Sequence, residues 1–183
     1  VHTIIAQPQF NQMQQFQGDY RQQVMDVIAE QFPLYTKTSD ENLVETTHVT
    51  VDLDKLNEQA SIFWTEEEDG TPQFNITILD ETTPEMKAIT KGLLEVLGDK
   101  NLNIRKAKHG MKKLKMAQEK ALTKLKAKGG RFGVGINEET EKVEVESNTL
   151  TTADKLELTN EFGQDMFTFV DDKEVGNLLD IAT

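Results

Sequence analysis

The sequence predicts an α+β fold: two tandem αββαβ units, each a small three-stranded sheet with helices on one face, preceded by a helical arm. Three observations lead there. Short runs of apolar–polar alternation come in pairs across polar turns, as in Phe74-Asn75-Ile76-Thr77-Ile78. Apolar residues at helical spacing begin after threonine and stop at glycine. The same order of signals then occurs twice along the chain.

Residues 1–19 are rich in glutamine (Gln7, Gln9, Gln12, Gln14, Gln15, Gln17) and, with Pro8 and Gly18, read as a loosely ordered arm. Tyr20 to Phe32 carries Val24, Val27, Ile28 and Ala29 at helical spacing, and Pro33 ends that helix. The Thr-, Asp- and Glu-rich stretch 34–50 reads as a linker or an extended segment.

Asp52 to Ala60 reads as a short helix with Leu53 and Leu56 on one face, followed by a strand at Ser61 to Thr65. Glu66-Glu67-Glu68-Asp69-Gly70 makes a charged turn, and Phe74, Ile76 and Ile78 mark the return strand. Thr83 is the expected N-cap of the next helix, with Pro84 at its first position and Glu85 at the positive end of its dipole. Ile89, Leu93, Leu94 and Leu97 give its apolar stripe, Gly98 its end, and Leu102 and Ile104 a closing strand.

The second unit repeats the order. His109 to Lys128 is a basic helix with Leu114, Ala117, Ala121 and Leu125 as its apolar stripe and Gly129-Gly130 as its stop. Phe132, Val134 and Ile136 alternate, as do Val143 and Val145 across a polar turn. Thr151 or Thr152 caps a helix ending at Gly163, and Phe167 and Phe169 mark the last strand. Leu97-Gly98 matches Phe162-Gly163 at an offset of 65 residues, while Thr82-Thr83 matches Thr151-Thr152 at 69. The second capped helix is therefore expected to be about one turn shorter. The organisation that follows is an arm, short helix and linker over 1–50, a first unit over 51–107, a second over 108–170, and a tail over 171–183.

The chain is acidic, with 20 basic and 32 acidic residues and a net charge of −12, but the charge is uneven. From Arg105 to Arg131 there are eleven basic residues and one acid, Glu119, so that segment is +10 and the remainder −22. Lys108, Lys112, Lys113, Lys115, Lys120, Lys124, Lys126 and Lys128 form the basic helix. It could meet nucleic acid, an anionic membrane or an acidic partner, or it could neutralise the acidic remainder from within. Without aromatics and with little arginine, it offers nothing for base stacking or specific readout, so nucleic acid is the weaker expectation.

Catalytic chemistry has few footholds. No cysteine is present, which removes disulfides, zinc ribbons, iron–sulfur clusters and thiol nucleophiles. His2, His48 and His109 share no ligand spacing and read as exposed, and Ser39, Ser61 and Ser147 sit in no nucleophile elbow. The acidic runs 52–54, 66–69 and 137–141 lack the twelve-residue calcium loop. Gly129-Gly130-Arg131-Phe132-Gly133-Val134-Gly135 follows a helix and opens a strand, the reverse of a phosphate loop. Gly133 and Gly135 read instead as strand positions where something packs closely. The Asn75-Ile76-Thr77 sequon falls in a strand and is discounted. No catalytic residue, metal or cofactor is expected. No apolar run is long enough to span a membrane, and no secretory signal is read at Val1.

The segment Ile136-Asn137-Glu138-Glu139-Thr140-Glu141-Lys142-Val143-Glu144-Val145, between two helices, resembles the hairpin of the pro-regions of secreted chymotrypsin-like bacterial proteases of the α-lytic protease and streptogrisin type. In those the pattern runs apolar–Asp–x–x–Thr–Asn–x–Val–x–Val. Here Asn137 stands for the Asp and Glu141 for the Asn. The resemblance covers 111–170 and, more weakly, 52–105. It implies a non-enzymatic module that binds, helps fold and inhibits a protease, with its sheet on the protease and its tail in the substrate cleft. The tail contacts would be Val175, Leu178, Leu179, Asp180, Ile181, Ala182 and Thr183, and the protein would be secreted. The alternative is a structural or assembly protein, a viral or surface component forming an oligomer in the cytoplasm or virion. A third is nucleic-acid binding through 105–131.

Overall fold

A computed structural model describes residues 11–171. The chain divides into two compact units, residues 1–106 and 107–183. It is an α+β protein with three small sheets, of which two are three-stranded with helices against one face.

In the first unit, helix α1 spans Gln12–Gln31, strands β1 and β2 span Pro33–Ser39 and Glu45–Val51, and the short helix α2 spans Leu53–Asn57. Strands β3 (Ala60–Glu66), β4 (Pro72–Ile78) and β5 (Leu102–Lys106) form the sheet, with helix α3 (Pro84–Leu97) crossing between β4 and β5. β3 runs antiparallel to the central β4, and β5 parallel to it. Thr83 caps α3 by accepting from the Met86 amide at 3.3 Å, Pro84 opens the helix, and Gly98 leaves it with φ 71°.

The glutamine-rich stretch is not a loose arm from residue 12 onward. Asn11 caps α1, glutamine tolerates the helix well, and Met13, Phe16, Tyr20, Val24, Val27 and Ile28 make one continuous apolar stripe. The Phe16 ring lies 5.7 Å from Trp64, and Trp64 lies 4.8 Å from Phe74, which ties the helix to the sheet. Phe74 is fully buried in this core with Leu56, Ile76, Met86, Ile89 and Leu93, and each such side chain contributes about 1.5–3 kcal/mol. Leu53, expected beside Leu56, is instead about half exposed, because a helix of five residues buries only one of the two.

In the second unit, helix α4 (Met111–Lys128) precedes strands β6 (Phe132–Asn137) and β7 (Lys142–Ser147), helix α5 (Thr152–Phe162) and strand β8 (Phe167–Asp171). The order is β6-β7-β8, antiparallel then parallel, as in the first unit. Met111, Leu114, Ala117, Ala121 and Leu125 face Val143, Val145, Leu158 and Phe167 in the core. α5 has 11 residues against 14 in α3, a shortening of three where the offsets predict four, because Thr151 and not Thr152 stands where Thr83 does.

The basic helix begins at Met111 rather than His109. Glu141 holds the segment before it: its buried carboxylate accepts the Lys108 amide through both oxygens, at 3.0 and 2.9 Å, and the His109 amide at 3.4 Å. Residues 108 and 109 are thereby fixed as a lead-in. Asn137 makes the turn, accepting the Glu139 and Thr140 amides at 3.1 Å each, and Glu141 leaves it with φ 54°. Asn137 and Glu141 are thus the residues that build this hairpin and tie it to the start of α4.

Candidate interaction surface

Strands β1 and β2 form a two-stranded ribbon, a sheet of its own that pairs with no other strand among the described residues. Seven residue pairs are in register, from Pro33–Val51 at the base to Ser39–Glu45 near the tip. The stretch read as a linker or an extended segment is extended, and its two strands pair as a hairpin. Its density of Thr, Tyr and Val was the available signal, and the expected strand alternation is missing because neither face is covered. Only Pro33 and Val51 at the base are shielded; every other strand residue is exposed.

One ribbon face carries Tyr35 opposite Val49, 67% and 49% exposed, with Lys37 and Glu45 beyond them at 4.0 Å. The other carries Leu34, 47% exposed, with threonines and His48, whose Nε2 lies 3.1 Å from Thr38 Oγ1. At the tip, Asp40 Oδ1 accepts the amides of Asn42 and Val44 at 2.9 Å each. This closes a loop that presents Leu43 at 85% and Val44 at 56% exposure, among Asp40, Glu41 and Glu45. Leu43 also has φ 62°, a left-handed backbone that costs a leucine about 1–2 kcal/mol. An isolated hairpin in water is marginal, and this one exposes its apolar residues instead of using them to hold itself.

On α4 the lysines divide. Lys124 Nζ lies 2.5 Å from Glu157 and 3.8 Å from Asp154, Lys128 bonds Asp154, and Lys120 reaches Glu161 at 3.9 Å. The Lys128 contact, with the Thr151 amide and hydroxyl, holds the Asp154 carboxyl at about 2, well below the usual carboxylate range. This is internal neutralisation along the α5 side. Lys112, Lys113, Lys115 and Lys126 are exposed, and so is Met116, at 56%. The tail residues Val175, Leu178, Leu179, Asp180, Ile181, Ala182 and Thr183 lie outside the described residues, as does His2.

Other sequence candidates resolve into structure. The His109 side chain is 8% exposed, with Nε2 3.6 Å from Asp165, so it is not a surface histidine. Ser61 meets the hydroxyl of Thr77 rather than a base. Asn75 is buried, bonding Thr65 Oγ1 at 2.8 Å and accepting from Asn103 at 2.9 Å, which makes it a ladder residue rather than a glycan acceptor. Nothing packs on Gly133 or Gly135, contrary to expectation: a Cβ at either would meet no atom within 4 Å, because both point to the sheet face away from α4 and α5. Close approaches are instead at Gly92, where a Cβ would lie 2.7 Å from Val27, and at Gly130, where it would lie 2.6 Å from Asn148 and Thr149.

A groove of about 370 Å³ lies at the ends of β4 and β5, lined by Ile78, Leu79, Thr82, Ile104, Arg105 and Lys106 with Asp80 and Glu81. The Thr82 hydroxyl and amide lower the Asp80 carboxyl's pKa. The groove brings no nucleophile to a base. Among the described residues no group of three His, Asp or Glu side chains is placed to hold a metal, and no helix is long and apolar enough to cross a membrane. The chain matches no family model and no curated protein.

Proposed function

We propose that the chain is a non-enzymatic protein-binding module whose contact surface is the β1–β2 ribbon. The observation carrying this is the ribbon's exposed apolar set, Tyr35, Val49, Leu43 and Val44, on a hairpin with no cover of its own. The first unit's packed core of α1, α3 and the β3-β4-β5 sheet is the base from which the ribbon is presented. Amide hydrogen exchange tests the reading. In dilute chain the amides of 36–48 exchange far faster than those of β4, and partner binding slows them. Ribbon amides as protected as β4 in a monomer would overturn it.

Two partner classes follow. The first is a secreted chymotrypsin-like protease, supported by the hairpin resemblance and by the second unit's sheet, whose face away from α4 and α5 exposes Gly133, Gly135, Glu144 and Glu146. Added to α-lytic protease at equimolar amounts, the chain is expected to slow hydrolysis of a small peptide substrate, and full activity at excess chain would remove this class. The second is another copy of the chain in an assembly, favoured by the charge at the ribbon tip.

A further inference from the structure

We infer that the ribbon tip of one copy docks on the outward face of α4 of a second copy, so that the chain associates with itself. This rests on the ribbon being a contact surface and names what meets it. The tip presents two exposed apolar side chains, Leu43 and Val44, among three acids, Asp40, Glu41 and Glu45. α4 presents the complement. On the side away from its buried stripe, positions 112, 116, 120, 123 and 127 recur at helical spacing. Met116 is exposed there one turn after Lys112 and Lys113, with exposed Glu119, the helix's one acid, three residues beyond it, while Lys120 is turned to Glu161. An apolar pair among carboxylates thus faces a methionine with two ammonium groups on its N-terminal side, and methionine suits an irregular apolar contact.

Leu43 supplies an independent reason. Its left-handed backbone favours glycine or asparagine, and its side chain is 85% exposed, so the free chain gains nothing from a leucine there. A leucine in that setting gains only from a surface brought by a partner. Because tip and helix are different patches, the contact either repeats from copy to copy as a ring or an open filament or is exchanged reciprocally in a two-fold dimer.

Sedimentation velocity on the full chain, across a concentration series at low and high salt, reads the assembly. Two charge-reversed variants are compared, a tip variant (Glu41→Lys with Glu45→Lys) and a helix variant (Lys112→Glu with Lys113→Glu), each checked by circular dichroism. Wild type is expected to grow with concentration and to weaken with salt. Each variant alone associates at least about tenfold more weakly. Mixed in equal amounts the two recover assembly, since the reversed tip meets the reversed helix and the native tip meets the native helix. A mixture that stays unassembled overturns the proposal. Assembly lost in the tip variant but kept in the helix variant overturns the α4 assignment while leaving the ribbon as a contact surface, and assembly unaffected by both removes both. A wild-type chain that stays single throughout overturns the proposal, and retention on duplex DNA or phosphatidylserine vesicles without self-association would assign the α4 face to those polyanions instead.

Discussion

The two units run the same course from long helix to strand pair to capped helix to strand, but they differ at one joint. In the second, α4 reaches β6 across residues 129–131; in the first, α1 reaches β3 across residues 32–59, and the ribbon and α2 fill that span. The tight joint is held by fixed partners: Thr149 Oγ1 donates to the Gly129 carbonyl and the Arg131 amide donates to Asn148 Oδ1, both at 3.1 Å. The long joint releases a hairpin into solvent. The comparison teaches that the shared order supplies stability, while the insertion at the helix-to-strand joint supplies a surface.

The sharpest way to break the tight joint is Gly130→Ala. Gly130 has φ 78°, and a Cβ there would lie 2.6 Å from both Asn148 Oδ1 and Thr149 Cγ2. Neither neighbour can retreat without losing its own hydrogen bond. Left-handed strain and overpacking add to an expected loss of about 3 kcal/mol, read as faster exchange at the Val143 and Val145 amides. The same substitution at Gly133, which meets nothing, should leave those amides unchanged or better protected.

In the first unit the corresponding constraint lies between helices. Gly92→Ala drives a methyl into Val27, a branched side chain with one favoured rotamer. The helix gains alanine's propensity, so the net loss is expected to be about 1–2 kcal/mol. The chain's single tryptophan, Trp64, packs in this core and reports the shift by fluorescence in urea. An unchanged midpoint would mean that α1 and α3 separate at little cost.

Acid sharpens the comparison further, because the second unit holds a largely buried carboxylate clamped by lysine. The folded Asp154 carboxyl titrates at about 2 against an ordinary 3.8. A depressed carboxylate adds stability that is complete above the ordinary value and is lost as pH falls from about 4 through about 2. Asp154→Asn should cost about 1 kcal/mol near neutrality, the scale of a charged helix cap. The gap to wild type should close over that acid range in urea titrations. A gap independent of pH would show that the Lys128 contact adds nothing.

The sequence made local features legible and tertiary ones not. Thr83, Pro84 and Gly98 act within a single turn, and the alternation of Phe74, Ile76 and Ile78 registers one buried face, so both were readable. The α1 stripe at Met13, Phe16 and Tyr20 was hidden under glutamine. The ribbon's pairing escaped because strand alternation signals a buried face, and the ribbon has none. Gly92 against Val27, and Glu141 under the Lys108 amide, are meetings of residues far apart in sequence, which no local pattern encodes.

The smallest expected effect separates the ribbon's two properties, its fold and its surface. At Leu43, asparagine accepts the left-handed backbone without glycine's loss of chain entropy. Leu43→Asn should therefore make the free hairpin more stable by about 0.5–1 kcal/mol, seen as slower exchange of the amides of 36–48 in dilute chain. The same change removes the most exposed apolar side chain of the tip, so association through the ribbon should weaken as the ribbon itself firms up. A variant that both stabilises the hairpin and leaves association intact would place the contact elsewhere, at Tyr35 and Val49 on the ribbon's flank. One that weakens both would mean that Leu43 supports the turn in a way its exposure conceals.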